Sequence, residues 1–501
     1  MKRIFLTGAT GVMGMSTMKE ILRRRYKGAD VVLTILARNS KKNRKLLRPF
    51  IKIGVEVIWG DLLDADAVAR GVEQADIVLH VGGMVSPAAD WYPEKTYRVN
   101  TTSMAHIIEA VKKREAEGHN VKVVYIGSVS QYGHRSYPVG WGRCGDPINV
   151  ATFDKYALSK CVAEKMLSES GIKEWVSLRQ TGIIYPGILK KGSDPISFHV
   201  PMATGIEWVT AEASGRLLAA ICFDTVPTGF WKNYYNIGGG DSYRLSNYEF
   251  VSKTLSAVGC PPPEKVFDLN WFATRNFHGM YYLDSDYPEE LFHYRGEMDF
   301  DTYLSKLKSQ LPVYFRLAPL APAVMIKSVM KQVALKKKLG TLWWVENDIT
   351  PRIDAAWGSM EEYNKIPEDW RGFQLPPLQQ KSAPLNHGYD ETKEFETLTL
   401  SDLKRAAEYR GGKCHAEGKD GDIIEPDKGI EWECSEGHRF ILTPRTVLKG
   451  GHWCGQCLEE INEDPHALKR LARKNRFLAQ VVHLERNPAC NSPATAIINN
   501  Q

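Results

Sequence analysis

Tyr156 and Lys160 stand four residues apart in Tyr-Ala-Leu-Ser-Lys, and on a helix that spacing places the phenol and the ammonium on one face. A free phenol titrates near about 10, too high for a base at neutral pH, and a neighbouring cation draws it down. Such a pair can exchange a proton with a hydroxyl or carbonyl oxygen. A second set of chemistry-bearing residues is Cys434, His438, Cys454 and Cys457, spaced C-x3-H, fifteen residues, then C-x2-C. Two close pairs of soft or borderline donors suit tetrahedral zinc with no open position, the mark of a structural site. Cys414, after Gly411, Gly412 and Lys413, is the alternative to His438 as fourth ligand.

The elements that would position the phenol begin at the N-terminus. Ile4, Phe5 and Leu6 form a short apolar run, Gly8, Gly11 and Gly14 follow, and a helical pattern continues through Met18, Ile21 and Leu22. Strand, glycine turn and helix in that order let backbone N–H groups approach a pyrophosphate at the positive end of the helix. The turn residues Gly8, Thr10, Gly11, Val12, Met13 and Gly14 are therefore expected to bind a dinucleotide. A second strand, Val31 to Leu36, ends at Arg38, with Ser40, Lys41 and Lys42 beside it. That strand end meets the adenosine ribose, where an acid would accept from a 2′-hydroxyl and a cation accommodates a 2′-phosphate. Arg38 thus favours NADP(H), with NAD(H) the alternative. Further apolar strands are expected at Val55 to Trp59, Ile77 to Val81, Val121 to Ile126 and Val176 to Gln180. His80, inside the fourth, reads as a packed histidine.

The GxxGxxG spacing, the strand order and the Tyr-x-x-x-Lys pair together resemble the extended, epimerase-like branch of the short-chain dehydrogenase/reductase family over roughly residues 1–315. The resemblance implies an α/β fold with a Rossmann-type doubly wound parallel sheet. It implies Ser128, in Gly-Ser-Val-Ser-Gln-Tyr-Gly, as the hydroxyl that holds the reacting oxygen, and Asn100 as part of a proton relay behind Lys160. Asp61 and Leu62 of a Gly-Asp-Leu segment are placed near the adenine, and Gly82 is placed where a small residue lets the nicotinamide ribose pass. The WxCxxGHxF and GxWCxxC segments around the four metal-ligand candidates resemble treble-clef modules of the zinc-ribbon type.

On the substrate side, no Asp-Glu pair follows Ser128, which argues against a sugar 4,6-dehydratase. Basic residues for a nucleotide diphosphate are sparse, with Lys190, Lys191 and Arg216 as candidates. His134, Tyr137, Pro138, Trp141, Phe153, Phe198, His199, Trp208, Trp271 and Phe272 are expected to form an apolar pocket, with ordinary core packing as the competing account. Residues 313–345 hold an apolar stretch in which Val324, Ile326, Val329, Met330 and Val333 make an amphipathic helical face. Packing onto the body, as a lid, is the favoured reading. Peripheral membrane contact is the minority one.

The 501 residues are 43% hydrophobic, enough for more than one core. The expected organisation is a nucleotide- and substrate-binding part at 1–315, a helical extension and linker at 316–385, a zinc-binding domain at 386–465, and a helical or disordered tail at 466–501. A short helix is expected from Ser401 as its N-cap, ending at Gly411 and Gly412. Nine cysteines, five of them in the last fifth, suggest metal more than disulfides and a cytoplasmic location. The first strand begins within the first few residues, which is read as the absence of a signal peptide. Net charge of +6 is small for this length, and acidic residues are interspersed among the basic ones near the zinc site. Nucleic acid is accordingly disfavoured as a partner, and a protein-contact or homo-oligomer-stabilising role is expected of the module.

Three readings follow. The first is an NADP(H)-dependent oxidoreductase interconverting a hydroxyl and a ketone on a small, apolar substrate. The second is an NAD-dependent nucleotide-sugar epimerase, and the third a redox-sensing regulatory protein with a zinc module, against which the complete serine, tyrosine and lysine set argues.

Overall fold

The computed structural model describes residues 1–188, 194–311 and 321–482. Seven strands form one parallel sheet: β1 (Lys2–Thr7), β2 (Val31–Ala37), β3 (Glu56–Trp59), β4 (Ile77–His80), β5 (Lys122–Ser128), β6 (Trp175–Gln180) and β7 (Asn233–Ile237). Their spatial order is β7-β6-β5-β4-β1-β2-β3. The chain runs outward from β1 to β3, then returns to the other side of β1 with β4. That reversal opens a crevice between β1 and β4 at the carboxyl ends of the strands.

Alternation along β1 explains why helices cover both faces. Ile4 and Leu6 point into one core layer with Met18, Ile21 and Leu217, whereas Phe5 points into the other with Val68, Ile107 and Leu167. The first layer is closed by α1 (Val12–Tyr26), α2 (Lys41–Lys52) and α6 (Ala211–Phe223), and the second by α3 (Ala65–Glu73), α4 (Pro93–Ala116) and α5 (Lys155–Ser168). A sheet covered on both sides needs largely apolar central strands, as β1, β4 and β5 have, whereas the edge strand β3 is only part-buried. The expected doubly wound α/β fold is the one observed.

The extension after residue 321 is helical, with helices Ala323–Ala334, Thr341–Glu346 and Thr350–Trp357. Trp344, Ile353 and Trp357 anchor it to Leu269 and Ala273. Of the expected amphipathic face, Ile326, Met330 and Val333 pack onto the body, while Val324 and Val329 face outward. Residues 313–320 of that stretch lie outside the described residues. No described helix is long and apolar enough to cross a membrane.

The cysteine-rich end contains a three-stranded antiparallel sheet, Lys413–Cys414, Ile430–Glu433 and Arg439–Leu442, around the buried Trp432. The preceding helix, Leu400–Tyr409, starts from Thr399 and not from Ser401. Thr399 and Asp402 form a capping box, so the cap falls where a threonine is followed three residues later by an acid. Helices Ala467–Ala472 and Arg476–Ala479 share one core with the cysteines through Leu471 and Leu478. Residues 466–482 of the expected tail are thus packed, and 483–501, with Cys490, lie outside the described residues.

Candidate active site and metal centre

The crevice between β1 and β4 is floored by glycine. Gly8 has φ +73°, and a Cβ there would lie 2.7 Å from the Gly82 nitrogen, so only hydrogen lets the two strand ends approach. A Cβ at Gly14 would lie 2.2 Å from the Gly8 carbonyl oxygen, which is the close helix–strand packing this turn requires. No side chain caps the N-terminus of α1 and no acid stands in its first turn, which leaves the amides of Val12 and Met13 facing the crevice mouth. Thr7 Oγ1 accepts from the Gly82 N–H at 2.9 Å and pairs with His80 Nδ1 at 2.9 Å, fixing the loop beyond β4. His80 is a core histidine, pushed down to about 3 by burial and by Lys160. The cradle has the shape and donors for a pyrophosphate-bearing dinucleotide.

Around the rim, Arg38 follows directly on β2, exposed, with its guanidinium in no ion pair among the described residues. Asp61 is exposed and accepts from the Leu63 N–H at 3.0 Å. Leu62 lies against Gly82, where an added Cβ would come within 3.0 Å of its Cδ1. Thr10 and Gly11 sit in the turn itself, with the Gly11 N–H on the Gly8 carbonyl at 2.9 Å.

Ser128 closes β5, and Tyr156 and Lys160 rise from the first turns of α5, whose N-cap is Asp154. Ser128 Oγ accepts from the Ser130 N–H at 3.2 Å and from the Ser130 hydroxyl at 2.9 Å, and it lies near enough to the Tyr156 phenol to act on its ionisation. Lys160 Nζ donates to the Ile126 carbonyl at 2.9 Å and lies 5.8 Å from the centre of the Tyr156 ring. The three residues therefore meet where the sequence places them. The electrostatics differ from expectation: burial raises the Tyr156 phenol to about 12, against the opposing Ser128 hydroxyl, and burial lowers Lys160 to about 8. Lys160 faces a backbone carbonyl, and desolvation is the largest influence on the phenol. Asn100 does not bond to Lys160. Its amide donates to the Met84 carbonyl and Ser159 Oγ, and accepts from the Met84 N–H, so it holds the loop after β4 against α5.

One turn beyond Lys160, Glu164 is a fully buried carboxylate that the sequence reading missed. It pairs with Arg179 at 2.6 Å and lies 2.8 Å from His452 Nε2. Gln131 donates to it at 2.9 Å, and Gln131 Oε1 accepts the Ser128 backbone N–H at 2.8 Å. Burial opposes ionisation, but Arg179 and His452 hold Glu164 well below the usual carboxylate range.

A cavity of about 80 Å³ opens beside Tyr156. Of the aromatic residues expected in a pocket, Phe153 and His199 reach it, while Phe198, Trp271 and Phe272 pack on one another in the core. Trp208 stacks on Phe250, and Trp141 is buried beneath Arg244. The cavity beside Tyr156 is mixed in character, since Asp90, Asp154, Arg275 and Arg352 also line it. Arg216 is turned away, donating to the Tyr294 carbonyl, and Lys190 and Lys191 lie outside the described residues. A larger cavity of about 230 Å³, bordered by His134, Tyr137, Thr204 and Val482, shares Thr152, Arg275 and Asn276 with the first.

Cys434, His438, Cys454 and Cys457 bring their donor atoms within 4.8 Å of one another. His438 Nδ1 lies 3.4 Å from Cys434 Sγ and 3.5 Å from the sulfurs of Cys454 and Cys457, and Cys434 and Cys457 are 3.7 Å apart. A tetrahedron with metal–sulfur bonds of about 2.3 Å and a metal–nitrogen bond of about 2.0–2.1 Å has edges of about 3.5–3.8 Å. The donor set and its spacing fit. Cys414 pairs with Trp432 in the small sheet and is outside this cluster.

Residues 4–181 match the family described as NAD dependent epimerase/dehydratase, and the resemblance read from the glycine turn and the Tyr-Lys pair holds for that segment. Among curated proteins, an uncharacterized protein of Frog virus 3 (isolate Goorha) is 26% identical over 250 residues, covering 44% of this chain and 67% of that protein. A uronate dehydrogenase of Pseudomonas putida is 29% identical over 170 residues, covering 33% of this chain and 54% of that enzyme. The chain therefore spans little more than half the length of the dehydrogenase. Among solved structures, UDP-glucose 4-epimerase of Thermus thermophilus in complex with NAD is 19% identical, covering 63% of this chain and 99% of that one, with a TM-score of 0.46. A double mutant of the dTDP-glucose 4,6-dehydratase DesIV of Streptomyces venezuelae, with NAD bound, is 18% identical, covering 61% and 96%, with a TM-score of 0.49.

Proposed function

We propose that this chain is an NADP(H)-dependent oxidoreductase that interconverts a hydroxyl and a ketone at the cavity beside Tyr156. The observation that carries the reading is the convergence of Ser128, Tyr156 and Lys160 next to a glycine cradle at the reversal point of the sheet. The dinucleotide, when bound, supplies or accepts hydride. Gly8, Gly11 and Gly14 with the first amides of α1 would hold its pyrophosphate, and Arg38 its 2′-phosphate.

In the reducing direction Tyr156 gives its phenolic proton to the substrate carbonyl oxygen, and Ser128 holds that same oxygen by hydrogen bonding. Lys160, one turn behind, stabilises the phenolate that remains. Oxidation reverses the proton transfer. The cysteine-rich end holds structural Zn²⁺ through Cys434, His438, Cys454 and Cys457 and braces α5 from outside. The match of residues 4–181 to an epimerase/dehydratase family supports a second reading, a nucleotide-sugar epimerase with tightly held NAD.

Purified protein screened with NADPH against carbonyl compounds separates the two, since an epimerase gives no net change in dinucleotide absorbance. Tyr156→Phe is expected to lower turnover by roughly 10²- to 10⁴-fold with dinucleotide affinity retained. Undiminished turnover in that variant overturns the assignment.

A further inference from the structure

Arg275 and Arg352 reach the cavity beside Tyr156 from segments far apart in the chain. Arg352, on the helix Thr350–Trp357, lies beyond the segment that the family match covers. Its guanidinium stands 4.3 Å over the Phe153 ring and 5.6 Å from the Trp344 ring, an arrangement that fixes the plane of the charge without neutralising it. Arg275 lies flat over Gly358, where an added Cβ would come within 2.8 Å of its Cζ, and its Nε is buried without a hydrogen-bond partner. Among the described residues neither guanidinium forms an ion pair, and burial holds both below the ordinary arginine range.

The backbone around them is built for the purpose. Phe153 and Asn276 both adopt positive φ, 66° and 65°, in the region that side chains rarely enter. Asn276 locks the two loops together, its amide oxygen accepting from the Thr152 N–H at 2.7 Å and its nitrogen donating to the Thr152 carbonyl at 3.1 Å. The one carboxyl that acts on Arg352, Asp90, is raised to about 6 by burial and by Asp154 and stays largely ionised at neutral pH, but among the described residues it forms no ion pair with the guanidinium. Both guanidinium groups are half-buried, with Glu362 the carboxyl that acts on Arg275 and Asp90 the one that acts on Arg352, and without an ion pair they leave donors for an anion.

We propose that Arg275 and Arg352 form an anion subsite, so that the substrate carries a carboxylate or a phosphate monoester beside the hydroxyl or ketone that reacts at Tyr156. The proposal rests on the oxidoreductase reading and narrows its substrate class. The guanidinium forks match either anion, and the shared 230 Å³ cavity beyond Arg275 leaves room for the rest of the molecule.

The test uses the full chain saturated with NADP⁺, so that the glycine cradle is already filled. Inorganic phosphate and acetate are titrated by calorimetry into wild type, Arg275→Gln, Arg352→Gln and Arg352→Lys. Binding of at least one anion is expected to weaken roughly 10- to 100-fold in the glutamine variants and less in Arg352→Lys. Equal affinity in all four proteins overturns the subsite. In a turnover panel of hydroxy acids, phosphate esters and neutral amides of the same skeleton, acids or esters are expected to react best. Their KM should rise in Arg352→Gln with kcat changed little, while the neutral amide is affected little. Wild type that turns over the amide as well as the acid or ester, or a KM rise in Arg352→Gln that is the same for amide and acid, overturns the proposal. Arginine-dependent anion binding without turnover of any compound upholds the subsite and discards the oxidoreductase reading instead. Should Arg352→Gln fail to fold, Arg275→Gln and Arg352→Lys carry the comparison.

Discussion

His452 Nε2 lies 2.8 Å from Oε1 of Glu164, one turn beyond Lys160 on the helix that also carries Tyr156. His452 belongs to the cysteine-rich end, two residues before Cys454, so the carboxylate joins the Cys/His cluster to helix α5. The joint continues inward, since Glu164 also receives Gln131, whose amide oxygen orients the Ser128 backbone. Thr443 and Thr446 add bonds to Glu169 and Ser168 at the far end of the same helix. The module is thereby a brace on the active-site frame.

Glu164→Gln tests the brace. Removing the charge leaves the fully buried Arg179 guanidinium uncompensated, which is expected to cost about 3–5 kcal/mol. Because Arg179 and His452 hold this carboxyl below its unfolded value, its contribution is present above the ordinary glutamate range near about 4.3 and is lost as pH falls below it. Urea midpoints measured across acid pH should therefore fall more steeply in wild type than in the variant.

Metal removal acts through the same contacts. Full-length protein is expected to contain stoichiometric zinc, and chelation or Cys457→Ser should lower the melting temperature and turnover together. Elemental analysis checks the first point. Turnover that survives complete loss of metal, in protein with an unchanged melting temperature, would show that the cluster braces nothing.

Much of this was legible because its signals are local. Gly8, Gly11 and Gly14 reveal the turn since only glycine tolerates the backbone contacts that close it, and Tyr156 and Lys160 reveal their helix by their own spacing. Arg275 and Arg352 gave no such signal, because a shared cavity is made by tertiary packing. The aromatic residues misled for the same reason: Phe198, Trp271 and Phe272 are as apolar in a core as in a pocket. Burial also reversed the expected shift of the Tyr156 phenol, a quantity that spacing alone does not contain.

The proposed preference for NADP(H) rests on Arg38. Replacing its exposed, unpaired guanidinium by Arg38→Asp should repel a 2′-phosphate and accept a 2′-hydroxyl. The ratio of kcat/KM for NADPH over NADH is expected to fall by roughly 10- to 100-fold. An unchanged ratio would place the 2′-phosphate elsewhere.

On the proposed reaction, Lys160 is expected to give activity and stability opposite pH dependences. Reduction needs a neutral Tyr156 phenol, secured to about 12, and a charged Lys160, whose ammonium is lost above about 8 because burial disfavours it. The kcat/KM for reduction is therefore expected to fall as pH rises through about 8. For stability the sign is reversed. The folded-state value lies below the unfolded value near about 10.4, so between the two the unfolded chain binds the extra proton and the Lys160 contribution rises with pH. Unfolding free energies of wild type and Lys160→Met, compared from neutral to alkaline pH, isolate that contribution. A difference that stays flat while activity still declines would assign the alkaline limb to another group.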